Sequence, residues 1–178
     1  MNALVQRLLH PPVNAPAAVI LLRLMAGGIF LSEGILKFVY PNQGVGRFTK
    51  LGFPAPYLTA TFVAWLEIIG GILLILGLFT SLITIPFIIE MIVATLSTKI
   101  TLFLGTYPLA LPSSPPTVGF WAVMHEARSE YGQLMTVIFL LIVGPGLWSV
   151  DAYLERRRKP ETRPVMRSVP STASEHAR

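Results

Sequence analysis

The chain contains no cysteine. Disulfides, thiolate-held metals and thiol redox steps are therefore excluded as chemistry of its own, and any redox role falls to a bound cofactor, a lipid quinone or a partner protein. Charge is scarce as well. Asp, Glu, Lys and Arg make up 13% of the residues, against about 25% in ordinary soluble domains. There is no internal repeat, so an alternating-access carrier built on inverted halves is disfavoured. The glycines at Gly44 and Gly46 neither follow a strand nor open a helix, which removes a nucleotide-binding loop. His125, Glu126 and Glu130 are too loosely spaced for a metal site, and no Ser-His-Asp arrangement stands out.

What the chain has in abundance is apolar sequence: 53% hydrophobic residues and a mean hydropathy of +0.63. It falls into four stretches, residues 17–39, 58–79, 82–104 and 131–150. Each is about 20 residues, the length an α-helix needs to cross a hydrocarbon core of about 30 Å. The stretches do not alternate, which argues against barrel strands. The expected fold is all-α: a polytopic membrane protein forming one four-transmembrane-helix bundle. The first stretch is too long for a cleavable signal, is interrupted by Arg23 and lacks a small-residue cleavage site. Domain organisation reads as an N-terminal lead over residues 1–16, a bundle over 17–151 and a basic, disordered tail over 152–178. Leu4, Val5, Leu8 and Leu9 suggest a small interfacial helix in the lead.

The connections differ in kind. Residues 40–57 are rich in Gly and Pro and read as an irregular, partly re-entrant loop. The second and third stretches are separated by Gly77-Leu78-Phe79-Thr80-Ser81 alone and form a tight hairpin. Pro86 is placed to kink the third helix, and Gly144-Pro145-Gly146 to bend or end the fourth. Phe120 and Trp121 suit a membrane-interface anchor. The tail carries seven Lys/Arg and three Glu, hence +4 of the net +5. Its Arg156-Arg157-Arg158-Lys159 run places the C-terminus in the cytoplasm, and an even span count places the N-terminus there too. The run is a topology and anionic-lipid signal rather than a nucleic-acid site.

Ionisable residues inside spans are costly and tend to mark sites, ion pairs or routes. They are Arg23, Glu33 and Lys37 in the first stretch, Glu67 in the second, and Glu90 and Lys99 in the third. At 100° per residue, Arg23, Gly27, Phe30, Gly34 and Lys37 fall on one stripe about 80° wide. Gly27 and Gly34 on that stripe, with Gly70 and Gly71 in the second helix, allow close helix approach. Glu67 and Glu90 are expected near mid-bilayer with Arg23 within reach, giving one Arg23–carboxylate pair and one carboxylate neutral part of the time. Glu33, Lys37 and Lys99 lie toward the outer ends, within snorkelling range. Lys99 is expected to point away from the Glu90 face. Two readings follow: an ion-paired device that fixes helix register, or a polar pocket that binds a lipophilic head group or relays protons. The pocket candidates are Arg23, Glu33, Lys37, Glu67 and Glu90.

These residues carry a resemblance. The pattern is Arg23-x3-Gly27-x2-Phe30-x3-Gly34-x2-Lys37, then Phe48 and Gly52-Phe53-Pro54. It continues with Glu67-x2-Gly70-Gly71-x2-Leu74-x2-Gly77-Leu78-x-Thr80 and Met91-x2-Ala94, and ends with Gly144-Pro145-Gly146-x2-Ser149-x-Asp151. In order and spacing, over about residues 19–151, it resembles the DoxX family of four-span bacterial membrane proteins. The resemblance implies a location in the bacterial cytoplasmic (inner) membrane. It also implies a link to quinones or oxidative stress, because relatives include a membrane subunit of thiosulfate:quinone oxidoreductase. The Pro-rich segment 107–116 and the basic tail are outside the pattern.

The first functional expectation is a redox-associated membrane subunit that holds a quinone or similar lipophile, and, if enzymatic, acts as a quinone-linked oxidoreductase subunit. The alternative is a non-catalytic scaffold that recruits a membrane or soluble oxidoreductase through the outer loop or the tail. A homo-oligomer is compatible with both. A proton-coupled carrier ranks below them.

Overall fold

The computed structural model describes Leu8, residues 11–106 and residues 108–158. Among the described residues there are seven helices and no strand. Helix α1 is Val19–Val39, α2 Val45–Lys50, α3 Pro56–Leu76, α4 Thr80–Leu104, α5 Phe120–Glu126, α6 Arg128–Val143 and α7 Val150–Arg158.

Helix ends follow local chemistry. Helix α3 begins at Pro56, whose fixed φ and missing N–H suit a first helical position. It ends where Gly77 enters the left-handed region at φ 67°. Helix α4 has no side-chain cap of its own, and the carboxylate of Asp151 supplies one from a distance, accepting from Phe79 N and Thr80 N at 3.0 and 3.1 Å. Helix α6 stops at Val143, because Gly144 takes φ 85°, Gly146 takes φ 79° and Pro145 has no N–H to donate. Ser149 then opens α7, its hydroxyl oxygen accepting from Ala152 N.

Helices α1, α3 and α4 are long and apolar enough to cross a membrane. The expected fourth span over 131–150 is not one helix. It is shifted toward the N-terminus and cut by the Gly-Pro-Gly break, leaving 16 residues in α6, or about 24 Å. Helices α5 and α6 meet across Ala127, whose N–H donates to Val123 and whose carbonyl accepts from Tyr131. The expected loop over 40–57 contains the short helix α2, so Gly44, expected not to open a helix, is its N-cap, and Gly46 lies within it. The tail expected to be disordered from residue 152 is helical as far as Arg158; its remainder, like the expected interfacial helix around Leu4 and Leu9, lies outside the described residues.

The principal packing pairs are α1 with α3 and α4 with α6. The α1–α3 seam is glycine-lined. A Cβ at Gly27 would lie 2.7 Å from the Gly71 carbonyl oxygen, one at Gly34 2.7 Å from that of Ala64, and one at Gly71 2.7 Å from that of Gly27. These backbones are in contact, as small-residue membrane seams allow. Gly70 faces the other way and makes room for Phe87 of α4. Phe87 stacks on Phe30 of α1 at 3.8 Å between centroids and 6° between planes. Ala26, Phe30, Leu74, Phe87, Val137 and Leu140 form the centre. Large apolar side chains face outward instead, Leu21 and Phe62 being more than two-thirds exposed. That inversion suits helices whose solvent is lipid.

Candidate functional site

The ionisable side chains are sorted into two ends of the bundle. The reason is the tilt of helical side chains toward their own N-terminus. Helices α1 and α3 run antiparallel, with Gly27 against Gly71 and Gly34 against Ala64. From α1, Lys37 therefore leans toward the level of Glu67, and Glu67 from α3 leans toward Lys37. Arg23 leans away from both.

The structure thus overturns the expected Arg23–carboxylate pair. Arg23 is 2% exposed and donates to four backbone carbonyls: Leu74 at 2.9 Å, Ile75 at 2.6 Å, Pro145 at 3.0 Å and Trp148 at 2.6 Å. Those carbonyls come from the end of α3 and from the break after α6, where orphaned acceptors are found. Asp151 completes this end, its N–H donating to Gly77 O at 3.0 Å while its carboxylate caps α4. Arg23 is a structural clasp and does not line the cavity described next.

The other end holds a cavity of about 610 Å³ between α1, α3, α4 and α6, covered by the segment around α2. Glu33, Lys37, Glu67 and Glu90 all line it. The Lys37 ammonium lies 2.8 Å from Glu67 Oε1 and 2.6 Å from Oε2, and its third contact is the Glu33 carbonyl at 3.5 Å. Lys37 does not snorkel; it is the cation that the buried carboxylates use. The Glu67 carboxyl interacts in turn with that of Glu90. Glu90 Oε2 is buried and accepts no hydrogen bond from the described residues.

Lys99 departs from expectation too. It is buried and bridges to Glu130 of α6 at 2.8 Å, closing α4 onto α6 beside the cavity. Two participants were not singled out from the sequence. Gln133, 5% exposed, donates from Nε2 to Ala26 O at 3.4 Å and presents Oε1 without a partner. Its signal was available: it is the one amide in the stretch 131–150. Asp151 appeared only as the end of a motif, and nothing local indicated that it caps a helix 71 residues away. Among the described residues no cluster of three or more His, Cys, Asp or Glu is arranged to hold a metal ion.

The arrangement can accommodate a lipophilic ring or chain against Phe30, Phe62, Leu66 and Ile89 while a polar head meets the Lys37–Glu67–Glu90 group. Its volume is that of a small-molecule pocket, about 300–1,000 Å³.

Comparison with known proteins agrees with the pattern of these residues. The DoxX family model matches residues 18–100, which contain Lys37, Glu67, Glu90 and the seam glycines Gly27, Gly34 and Gly71. The chain is 41% identical over 157 residues to "Uncharacterized membrane protein Rv3486" of Mycobacterium tuberculosis, covering 85% of this chain and 88% of that protein. It is 26% identical over 140 residues to "Putative oxidoreductase CatD" of Bacillus subtilis, covering 79% and 89% respectively. No solved structure matches. With the family model laid over α1 to α4 and a relative aligned along most of its length, this chain is a membrane protein of the DoxX family.

Proposed function

We propose that this protein is a redox-associated membrane subunit that binds a quinone or similar lipophile in the cavity between α1, α3, α4 and α6. One observation carries the reading. A cavity of about 610 Å³ with apolar walls contains a buried Lys37–Glu67 pair and an open Glu90 carboxyl oxygen. A register device alone would not require such space beside the pair. The name of the Bacillus subtilis relative points in the same direction. The chain has no thiol, so electrons passing to or from a bound quinone are exchanged with a partner oxidoreductase. The protein's own residues bind and orient the head group and exclude water from it.

In this reading α5 and α6 together provide the fourth crossing. From Phe120 to Val143 they extend about 36 Å at 1.5 Å per residue. The membrane is the bacterial cytoplasmic membrane, the α7 end with its Arg156-Arg157-Arg158 run is cytoplasmic, and the cavity lies in the opposite half.

The test is chemical. The protein is purified in mild detergent, extracted with organic solvent and analysed by mass spectrometry, and a short-chain quinone is then titrated into it. Co-purified quinone, or saturable binding of the added one, supports the reading. Neither a bound lipophile nor binding of the probe contradicts it.

A further inference from the structure

The polar atoms of the cavity are not balanced between donors and acceptors. Lys37 donates to Glu67 Oε1 and Glu33 O, and its ammonium lies 2.6 Å from Glu67 Oε2 as an ion pair. The Gln133 amide donates to Ala26 O, and that carbonyl partner fixes which way the amide is turned. Ser97 and Thr98, both in the wall, donate their hydroxyl protons to Ala94 O on their own helix and turn only lone pairs inward. Ser129 donates to Glu130. Among the described residues, the buried cavity atoms left without a hydrogen-bond partner are all oxygens, Glu67 Oε2, Glu90 Oε2 and Gln133 Oε1, against which the deep cavity offers only the second N–H of Gln133 and a proton shared between the two carboxyls. Donors still available, from Gln43 and Arg47, are on the α2 side that covers the opening.

From this imbalance we infer that the site selects the reduced form of its ligand, a lipophilic aromatic diol, over the corresponding quinone. The inference rests on the quinone reading above and sharpens it. A hydroquinone presents two O–H donors, one for Glu90 Oε2 and one for Gln133 Oε1. A quinone presents only carbonyl lone pairs, which leave both acceptors unsatisfied and set oxygen against oxygen. A buried polar atom left without its partner weakens binding, and each 1.4 kcal/mol so lost is a factor of about ten in affinity. Tighter binding of the reduced form raises the midpoint potential of the bound couple by about 30 mV for each tenfold.

The test uses the full-length protein in lipid nanodiscs under anaerobic conditions. A decyl-substituted benzoquinone, its hydroquinone and the dimethyl ether of that hydroquinone are titrated separately by calorimetry. The ether keeps the ring and tail and removes both donors. The expected result is hydroquinone binding about tenfold or more tighter than the quinone, with the ether no tighter than the quinone, and a narrower hydroquinone-to-quinone ratio in Gln133→Leu. Equal affinity for quinone and hydroquinone, or an ether as tight as the diol, overturns the inference and leaves the quinone pocket standing. Binding of none of the three overturns both.

Discussion

Lys37 of α1 holds both carboxylate oxygens of Glu67 of α3, at 2.8 and 2.6 Å, with side chains 13% and 4% exposed. The pair sits against the glycine seam, so charge pairing and close backbone packing fix the same two helices in one register. Removing one partner of a buried pair costs about 3–5 kcal/mol, because the other charge is stranded, whereas replacing both with apolar residues of similar size is often near neutral. Lys37→Met and Glu67→Met singly are expected to lower stability strongly, and the double substitution to recover much of the loss. Thermal unfolding in detergent, analysed as a double-mutant cycle, checks this.

The seam itself makes a steric prediction. Gly71→Val puts side-chain atoms against the Gly27 carbonyl and Leu31 backbone, and overpacking of this kind costs about 1–3 kcal/mol. Gly28→Ala, with nothing within 4 Å of the added Cβ, is expected to be silent. Thermal melts of the two variants make the comparison.

Arg23 should behave as a clasp rather than a ligand residue. Arg23→Lys keeps the charge but cannot reproduce a planar fork reaching carbonyls of Leu74, Ile75, Pro145 and Trp148. Each buried acceptor left unsatisfied costs about 1–3 kcal/mol. The expected outcome is a lower melting temperature with unchanged quinone affinity in the folded fraction. A melting curve beside a binding titration separates these effects.

The Lys99–Glu130 bridge predicts that Lys99→Ala is destabilising, since it strands a half-buried carboxylate between α4 and α6. The expected phenotype is a lower melting temperature, largely restored by adding Glu130→Ala. Calorimetric unfolding of the three variants checks it.

Topology can be read directly because the chain has no cysteine of its own. Single cysteines at Asn2, Ser113 and Ser174 are expected to divide: Ser113→Cys labelled by an impermeant maleimide in intact cells, Asn2→Cys and Ser174→Cys only after lysis. Labelling of opposite termini from opposite sides would show an odd number of crossings.

Much of the fold was legible because its signals are long and local. Three apolar stretches became α1, α3 and α4, and the spacing of Gly27, Gly34 and Gly71 anticipated their seam. The fourth was misplaced because apolar content continues through Gly144-Pro145-Gly146, where backbone geometry ends the helix. The set of cavity carboxylates was legible from their rarity, but their cation was not. Depth along the helix axis placed Arg23 nearest to them, while side-chain tilt, which acts over a full turn for a long residue, gave that place to Lys37. Lys99 was misjudged for a related reason: its face is opposite Glu90, yet α6 lies on that side with Glu130. Gln133 and Asp151 act across the fold, where local pattern carries no information.

The central claim is that the cavity beside Lys37, Glu67 and Glu90 is the ligand site, and Ala94→Phe tests it most directly. Ala94 lines the cavity and takes no part in its ion pairs, so a phenyl ring there fills the space and leaves the charges in place. The measurement is the affinity of the protein in nanodiscs for the decyl-substituted hydroquinone, wild type against Ala94→Phe, with melting temperatures recorded for both. The account predicts an affinity loss of about tenfold or more with the fold retained; unchanged affinity in the folded variant would contradict it.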